Sequence, residues 1–198
     1  MSYSIRESVR GYDLIPVDAE FLKSGKIFFT DEVNEESCNK AIQDLLFMSQ
    51  DNSIDKIVIY IATRGGSVQA GLCLYDTIRL VNEIKPVTTV CIGLCASMGA
   101  ILMLSADERL ILTHGKIMVH GPSFGNHNIA GKKVAELAAE LKDLQSCSEI
   151  LEKIIVERTG KSLKEVKKVC ATDSFYSAEE SLKFGLTTKI IKSIKEVL

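Results

Sequence analysis

The sequence of 198 residues contains no tryptophan, 3 prolines and 3 histidines. So little proline leaves no proline-rich linker, and the absence of tryptophan disfavours functions that need a large aromatic platform. The sequence also has no large excess of positive or negative charge, because it contains 24 Lys and Arg residues and 26 Asp and Glu residues. We therefore expect no charged tail, and no basic surface of the kind that binds nucleic acid.

Paired cysteines with metal-ligand spacing are also missing. The 6 cysteines are scattered, and no two of them form the C-x-x-C pair that zinc sites commonly use. The N-terminal residues lack the apolar segment of a secretory signal peptide. From these observations we expect free cysteines in a reducing compartment, a cytoplasmic location and no metal site.

One uncharged run, residues 87–104, has the 18 residues at which a membrane-spanning helix becomes possible. Its first part is β-branched, its second part contains helix-forming residues, and Gly93, Ser97 and Gly99 interrupt it. This pattern predicts a strand, a turn and a buried helix, so we expect no membrane span.

The composition is that of an ordinary globular protein, with 46% apolar and 25% charged residues. The apolar patterns predict strands over residues 26–30, 56–62, 87–92, 109–112, 116–120 and 188–191, and helices over residues 34–50, 67–82, 97–105, 132–158, 162–169 and 177–185. Strands that alternate with helices indicate an α/β fold with a mostly parallel sheet, in a single domain over residues 1–198. Residues 1–25 show no clear period and are expected to form an irregular N-terminal arm.

Two of the predicted helices carry further expectations. Asn34 is the expected N-cap of the helix over residues 34–50, whose apolar residues are spaced for one buried face. These residues are Ala41, Leu45, Leu46 and Met48. The helix over residues 132–158 would be about 40 Å long, so we expect it to project from the domain or to pack on another subunit.

Two glycine-bearing turns follow predicted strands and open predicted helices, at residues 63–67 and 93–99. Such turns present free backbone N–H groups, and the helix dipole makes the position favourable for an anion. The anion could be a phosphate or the oxyanion of an acyl-transfer reaction. A phosphate site is disfavoured, because neither turn carries a G-K-[ST] or a G-x-G-x-x-G motif.

Ser97 lies in the second turn and has two interpretations, a helix N-cap or a nucleophile. A nucleophilic serine needs a neighbouring base and an oxyanion hole. We expect the turn to supply the hole, because the Met98 N–H points the same way as the Ser97 side chain. The small residues Ala96 and Gly99 would let a substrate backbone approach. The pattern resembles the G-x-S-x-G nucleophile elbow but has Cys95 at the first glycine.

Among the three histidines, His120 is the best candidate for the base, because it ends an apolar strand where catalytic groups of α/β sheets tend to lie. His114 fits a plain turn residue, and His127 fits a solvated loop. The carboxylate that orients the imidazole is better supplied by Asp173, in a break before two aromatic residues, than by Asp143 within the long helix. A strand-end histidine and an Asx turn remain the alternatives for His120 and Asp173.

Five sequence blocks, in the family's order, resemble the proteolytic subunit family of the Clp protease (ClpP), and the resemblance runs from about residue 12 to residue 191. The blocks are Gly65-Gly-Ser-Val-x-Ala-Gly-Leu, Tyr75-Asp-Thr-Ile, Cys95-Ala-Ser-Met-Gly-Ala, Met118-Val-His-x-Pro, and Asp173-Ser-Phe-x-Ser-Ala-x-Glu followed by Gly185-Leu. The resemblance implies a ClpP/crotonase-like fold, with a projecting helical handle over about residues 121–160.

The resemblance also implies a serine endopeptidase that works through a Ser-His-Asp triad. Ser97 would be the nucleophile, His120 the base and Asp173 the residue that orients it. Gly66 and Met98 match the family's oxyanion-hole positions. The family uses no cofactor in this subunit, since ATP is consumed by its partner.

The partners implied by the resemblance are further copies of the chain, an AAA+ Clp unfoldase and unfolded polypeptides. Copies would form heptameric rings that stack as a tetradecamer around a closed chamber, and the long helix would interlock the rings. The unfoldase would dock into apolar pockets on the ring face, of which Tyr60 matches one position, although a buried strand tyrosine is an equal interpretation.

The sequence departs from the family at three positions near these motifs. Arg64 stands where proline is usual, Gly121 where glutamine is usual, and Thr172 where arginine is frequent. Two alternatives remain beside the peptidase. One is a crotonase-fold enzyme acting on acyl-CoA, and the other is a non-catalytic or latent ring subunit.

Overall fold

A seven-stranded, mostly parallel sheet organises the computed structural model, which describes residues 2–9, 11–124 and 131–197. Nine strands and seven helices lie within these ranges. The strands are β1 (Tyr3–Ser8), β2 (Gly11–Pro16), β3 (Lys26–Phe29), β4 (Ile57–Thr63), β5 (Val87–Ala96), β6 (Glu108–Leu112), β7 (Lys116–Val119), β8 (Ser174–Tyr176) and β9 (Lys189–Ile191). The helices are α1 (Val17–Lys23), α2 (Glu35–Gln50), α3 (Val68–Ile84), α4 (Met98–Met103), α5 (Val134–Thr159), α6 (Leu163–Cys170) and α7 (Ala178–Phe184).

The sheet branches at β5. Strands β3, β4, β5, β6 and β9 are neighbours in that order, and every pair is parallel. The first half of β5 pairs with β6, and its last three residues pair in parallel with β7. The short strand β8 then adds antiparallel to β7. The predicted α/β fold with a mostly parallel sheet is therefore confirmed, and the branch places the ends of β5, β7 and β8 together.

The main hydrophobic core lies between the sheet and helices α2–α7. It includes alternate residues of β4 (Ile57, Ile59 and Ile61) and most of α4. A smaller cluster on the opposite sheet face consists of Val58, Tyr60, Val90, Leu110, Ile191 and Val197. Strand β4 is thus covered on both faces, which its continuous apolar sequence predicted.

The uncharged run over residues 87–104 forms a strand and a buried helix. Strand β5 continues to Ala96, four residues further than the sequence predicted. The turn between this strand and the following helix therefore consists of Ser97 alone. Helix α4 follows at once, and each of its six residues is buried. Within the described ranges, no helix combines the length and the apolar character needed to cross a bilayer.

Helix α2 begins after the Asn34 cap that the sequence predicted. The Asn34 side chain accepts a hydrogen bond from Ser37 N at 2.9 Å. Ala41, Leu45 and Met48 are buried, whereas Leu46 is 48% exposed. The prediction that Leu46 shares the buried face is wrong, because adjacent residues of a helix point about 100° apart.

The N-terminal segment is ordered, so the prediction of an irregular arm is wrong. Strands β1 and β2 form an antiparallel hairpin, and α1 follows directly. The Arg6 guanidinium ties the hairpin to α1 through both carboxylate oxygens of Glu20, each at 3.0 Å. Tyr3 and Ile5 alternate with polar residues, as do Tyr12 and Leu14, and all four lie on one exposed face of the hairpin. The sequence analysis overlooked this period-2 pattern because each run is short.

The long helix α5 has 26 residues and ends at Gly160, which adopts the left-handed conformation with φ 71°. The length of the helix confirms the sequence prediction. Its buried residues, Leu151, Ile154 and Ile155, all lie near its C-terminal end. Residues 134–150 include none that is buried, so this part of the helix projects from the core.

Candidate active site

Ser97 occupies a sharp, strained turn between β5 and α4. Its φ of 56° and ψ of −122° make it the only non-glycine residue with positive φ in the part of the chain that the structure describes. Such a conformation costs an L-residue on the order of 1–3 kcal/mol and is tolerated where the surroundings enforce it. Here Ser97 N donates to Met118 O at 2.9 Å, and Ser97 O accepts from Ala100 N at 3.0 Å.

The Ser97 hydroxyl does not cap α4, because its side chain forms no capping hydrogen bond. It lies instead 2.9 Å from His120 Nε2. The parallel register explains the contact. Ala96 pairs with Met118, so the residues that follow β5 and β7 emerge side by side. Ser97 therefore stands at the N-cap position of α4, but its hydroxyl does not cap the helix and contacts His120 instead.

His120 is the middle member of a hydrogen-bonded row. Its Nδ1 lies 3.0 Å from Asp173 Oδ1, while its Nε2 faces Ser97. An ionised carboxylate can only accept a hydrogen bond, so Nδ1 carries the proton and Nε2 is left to accept from the Ser97 hydroxyl. The sequence analysis proposed Ser97, His120 and Asp173 as one catalytic set. In the structure these three side chains contact one another in that order.

Asp173 is positioned by β8, a strand that the sequence analysis did not predict. Ser174 pairs with Val119 in the antiparallel register, so the residue before β8 lies beside the residue after β7. Ser174 Oγ donates to Val169 O at 2.8 Å, which anchors the turn. A three-residue strand is too short to show a period, and only the aromatic pair Phe175-Tyr176 hinted at it.

The rejected candidates lie elsewhere. His114 is in the turn between β6 and β7, beside a cavity that Ile92, Leu112 and Ile191 also line. Asp143 is exposed on the projecting part of α5. The prediction for His127 lies outside the described residues.

The Gly65-Gly66 turn packs directly against Ser97. A Cβ atom on Gly65 would lie 2.6 Å from Ser97 Cβ, and one on Gly66 would lie 2.2 Å from Val33 O. Both residues also have positive φ, 98° and 145°. The turn is fixed from two sides, since Gly65 N donates to Thr63 Oγ1 at 3.2 Å and Val33 N donates to Gly65 O at 2.9 Å. Only glycine fits these two positions.

Two concave surfaces adjoin these turns. A largely enclosed apolar cavity of about 20 Å³ has Ser97 and His120 in its wall. A wider cleft of about 700 Å³ is lined by Thr30, Asp31, Glu32, residues 62–66 and Leu94, and includes neither Ser97 nor His120. The smaller cavity is therefore the one that faces the hydrogen-bonded row.

No cysteine thiol of the chain takes part in the row from Ser97 to Asp173. All six cysteines are free, as the sequence predicted. Burial raises the pKa of the Cys170 thiol to about 11, so this thiol is neutral at ordinary pH. Burial also raises the pKa of Cys95, while a hydrogen bond with the Cys95 side chain lowers that of Cys91. Among the residues that the structure describes, no cluster of three or more potential ligands is placed to hold a metal ion.

Ser97 and His120 follow the carboxyl ends of β5 and β7, and Asp173 lies beside them at the amino end of β8. A Ser–His–Asp row of this kind is an arrangement by which serine hydrolases are recognised. The family model described as Clp protease matches residues 9–194. The chain therefore belongs to the Clp protease family, and with it to the serine-type peptidases of the ClpP kind.

Proposed function

We propose that this chain is a serine endopeptidase that cleaves unfolded polypeptides through an acyl-enzyme on Ser97. One observation carries the proposal, the continuous row from Ser97 Oγ through His120 to Asp173 with contacts of 2.9 and 3.0 Å. A base within hydrogen-bonding reach is what a serine hydroxyl needs to act as a nucleophile, and the base is itself oriented by a carboxylate.

In the acylation step, Ser97 Oγ attacks the carbonyl carbon of the peptide bond while His120 Nε2 takes the hydroxyl proton. The new C–O bond produces a tetrahedral oxyanion. His120 then donates the proton to the leaving nitrogen, the C–N bond breaks, and the amine departs. Asp173 stabilises the transient imidazolium and keeps its charge throughout.

In the deacylation step, a water molecule takes the place of the amine. His120 Nε2 accepts a proton from the water as its oxygen attacks the Ser97 ester. Collapse of the second tetrahedral intermediate breaks the ester bond and returns the proton to Ser97 Oγ. The carboxylic acid product leaves, and the site is restored without a cofactor in this chain.

Two backbone N–H groups are suited to hold the oxyanion, those of Met98 and Gly66. Met98 is the first residue of α4, so its N–H has no partner within the helix. Gly66 belongs to the turn that packs on Ser97, and glycine carries no side chain of its own over its N–H. Donors of this kind contribute on the order of 3–4 kcal/mol each to the stabilisation of the transition state.

We further propose that copies of the chain assemble into stacked rings that enclose the site. Large apolar side chains are exposed on α2 and α3, among them Phe47, Leu80 and Ile84, which are 69%, 63% and 73% exposed. Apolar surface of this extent is typical of an interface. The unburied part of α5 is available for contact between rings.

An AAA+ unfoldase is the proposed supplier of substrate, and it would consume the ATP. Tyr60 and the 47% exposed Phe28 stack with ring centroids 4.7 Å apart on the sheet face opposite the main core. An aromatic surface of this kind suits an apolar loop of a partner protein.

The proposed function is tested by labelling the purified protein with an alkyl fluorophosphonate beside its Ser97→Ala variant. Native mass spectrometry of the same samples gives the size of the assembly. Labelling of the wild type alone, on a large ring, is expected. Failure of an intact ring to label would exclude the peptidase and leave a ring subunit kept for assembly, and binding of a CoA ester would instead favour the acyl-CoA enzyme.

A further inference from the structure

We propose that Arg64 makes the enzyme favour polypeptides that carry an acidic side chain within about three residues of the bond it cleaves. The Arg64 guanidinium would bind the carboxylate of that Asp or Glu in the wider cleft beside the Gly65-Gly66 turn. The inference rests on the proposed peptidase function and names a specificity-determining residue for the same site.

The position of Arg64 in the chain places it close to the reacting carbonyl group. It follows β4 directly and stands two residues before Gly66, whose N–H is proposed to hold the oxyanion. Two residues of extended chain span at most about 7 Å. Successive residues of an extended substrate advance by about 3.3 Å, so the long Arg64 side chain reaches about three residues from the carbonyl group at Gly66.

The backbone that carries Arg64 is held on both sides. Gly65 N donates to Thr63 Oγ1 at 3.2 Å, and Gly65 O accepts from Val33 N at 2.9 Å. Ser67 N in turn donates to Val33 O at 2.7 Å. The arginine side chain therefore extends from a fixed point relative to Ser97, and a carboxylate bound to it would lie in a defined place along the substrate.

The Arg64 side chain is exposed and has no partner of its own. Within residues 2–9, 11–124 and 131–197, it forms no hydrogen bond and no ion pair. The other arginines in these ranges each bind a carboxylate or a carbonyl oxygen, and they are Arg6, Arg79, Arg109 and Arg158. A guanidinium has five N–H donors and no acceptor, so that of Arg64 is available to a carboxylate of the substrate.

The wider cleft carries charges of both signs in separate segments of its wall. Arg64 lies on the segment after β4, whereas Asp31 and Glu32 lie on the segment after β3. The rest of the lining is uncharged and consists of Thr30, Ala62, Thr63, Gly65, Gly66 and Leu94. The two carboxylates repel an acidic side chain from their own segment, so such a side chain is favoured only beside Arg64.

The chemistry of arginine suits a carboxylate better than any other side chain. Its planar guanidinium forms two parallel N–H···O hydrogen bonds with a carboxylate, which an amide of the same shape cannot match in charge. An ion pair at an exposed position changes an affinity by up to about 5-fold. We therefore expect a preference of a few-fold for acidic substrates rather than an absolute requirement.

The inference is tested with pairs of quenched-fluorescent peptides that differ only by Glu or Gln. The Glu or Gln occupies, in turn, each of three positions on either side of the cleaved bond, and mass spectrometry of the products locates that bond. At the best position we expect kcat/KM to be about 3–5-fold higher for the Glu peptide. This advantage should shrink as NaCl is raised from about 0.05 to 0.5 M, because salt screens the ion pair.

Four variants show whether Arg64 causes the preference. Arg64→Gln should bring the Glu-to-Gln ratio of kcat/KM to about 1, mainly through KM, since the contact is present in the bound substrate. Arg64→Lys keeps the charge without the planar group and should retain part of the ratio. Asp31→Asn removes a repelling carboxylate and should raise the ratio about 2-fold. Arg6→Gln is the matched control, because Arg6 pairs with Glu20 outside the cleft, and it should keep the wild-type ratio.

The outcomes separate this inference from the proposed function. An alkyl fluorophosphonate carries no acidic group and reports on Ser97 alone. If it labels Ser97 while the wild type cleaves the Glu and Gln peptides equally, the role of Arg64 is wrong and the peptidase stands. A smaller assembly of Arg64→Gln in native mass spectrometry would also overturn it, since Arg64 would then serve contacts between copies of the chain. Loss of both fluorophosphonate labelling and peptide cleavage overturns the proposed function itself.

Discussion

The two ends of the hydrogen-bonded row are built differently. Ser97 is set between Ala96 and Met98, which are 3% and 1% exposed, at the junction of a ten-residue strand and a buried helix. Asp173 precedes a three-residue strand that adds antiparallel to β7, and its side chain is 62% exposed. Ser97, the proposed nucleophile, is therefore positioned by the core, whereas the Asp173 carboxylate is positioned by a short strand at the surface.

This difference means that the two ends respond differently to change. Alterations of the residues packed against Ser97 should affect stability and activity together, because the turn and the core share these residues. Alterations near Asp173 should affect activity with little effect on stability. His120 is the link, since it ends a buried strand but is itself 29% exposed.

The largest expected effect comes from removing the nucleophile. Ser97→Ala should lower kcat for peptide hydrolysis by about a million-fold, as removal of the nucleophile does in other serine peptidases. Stability should change little, because the hydroxyl forms no capping bond. Peptide hydrolysis and thermal unfolding measure the two quantities. Residual activity above about one part in a thousand would show that another group attacks the substrate.

Removing the charge of the exposed carboxylate should have the next largest effect. Asp173→Asn leaves the shape intact but favours the wrong imidazole tautomer, so kcat should fall about ten-thousand-fold. The melting temperature should stay within about 2 °C of the wild type, because exposed positions contribute little to stability. A large loss of stability would contradict the distinction between the two ends. Asp143→Asn, on the projecting part of α5, is the matched control and should leave kcat unchanged.

A methyl group added behind the nucleophile should affect folding. Gly65→Ala places a Cβ 2.6 Å from Ser97 Cβ at a φ of 98°, so it should destabilise the protein by more than about 3 kcal/mol. Gly131→Ala is the control, because its φ is also positive, 80°, but a Cβ there meets nothing within 4 Å. Strain alone predicts about 1 kcal/mol for this control. Equal losses in denaturant unfolding would show that contact with Ser97 is unimportant.

The smallest expected effect is a change in how the free energy of unfolding depends on pH, caused by the Cys170 thiol. This residue lies near the Asp173 end of the row, where its carbonyl oxygen accepts a hydrogen bond from Gly121 N at 2.8 Å. Burial raises the pKa of this thiol to about 11 in the folded state, from 9.0. The folded state thus favours the neutral thiol. The contribution of this thiol to the free energy of unfolding is complete below pH 9 and is lost as the pH rises through 11.

This contribution should amount to about 1–2 kcal/mol, since each pKa unit corresponds to about 1.4 kcal/mol and the thiol is incompletely buried. Cys170→Ala should therefore flatten the fall in unfolding free energy between pH 9 and pH 11. Cys73→Ala removes an exposed thiol and should keep the wild-type slope. Identical slopes in wild type and Cys170→Ala would contradict the assignment.

The sequence predicted the parts of the fold that have a strong apolar pattern. Strand β4, helix α2 and the long helix α5 fall within two residues of their predicted bounds. The N-terminal hairpin and β8 were not predicted. The hairpin has only a short apolar alternation, at Tyr3 and Ile5 and at Tyr12 and Leu14, which the sequence analysis overlooked, and β8 is only three residues long.

The sequence allowed the residues of the candidate site to be proposed, but not their geometry. Ser97, His120 and Asp173 were chosen from local context and from the family resemblance. What the sequence could not provide is the register of β5, β7 and β8, which decides that these residues meet. The need for glycine at position 65 was hidden for the same reason, since its neighbour Ser97 is distant in the chain.

The measurement that tests the central claim most directly is trapping of the acyl-enzyme. The wild type and Ser97→Ala are incubated with a peptide p-nitrophenyl ester, quenched in acid and analysed by mass spectrometry of their peptides. Our account predicts an acyl group on Ser97 in the wild type and none on the corresponding peptide of the Ser97→Ala variant. An acyl group on Cys95 or another residue, or product formation by the variant at the wild-type rate, would contradict it.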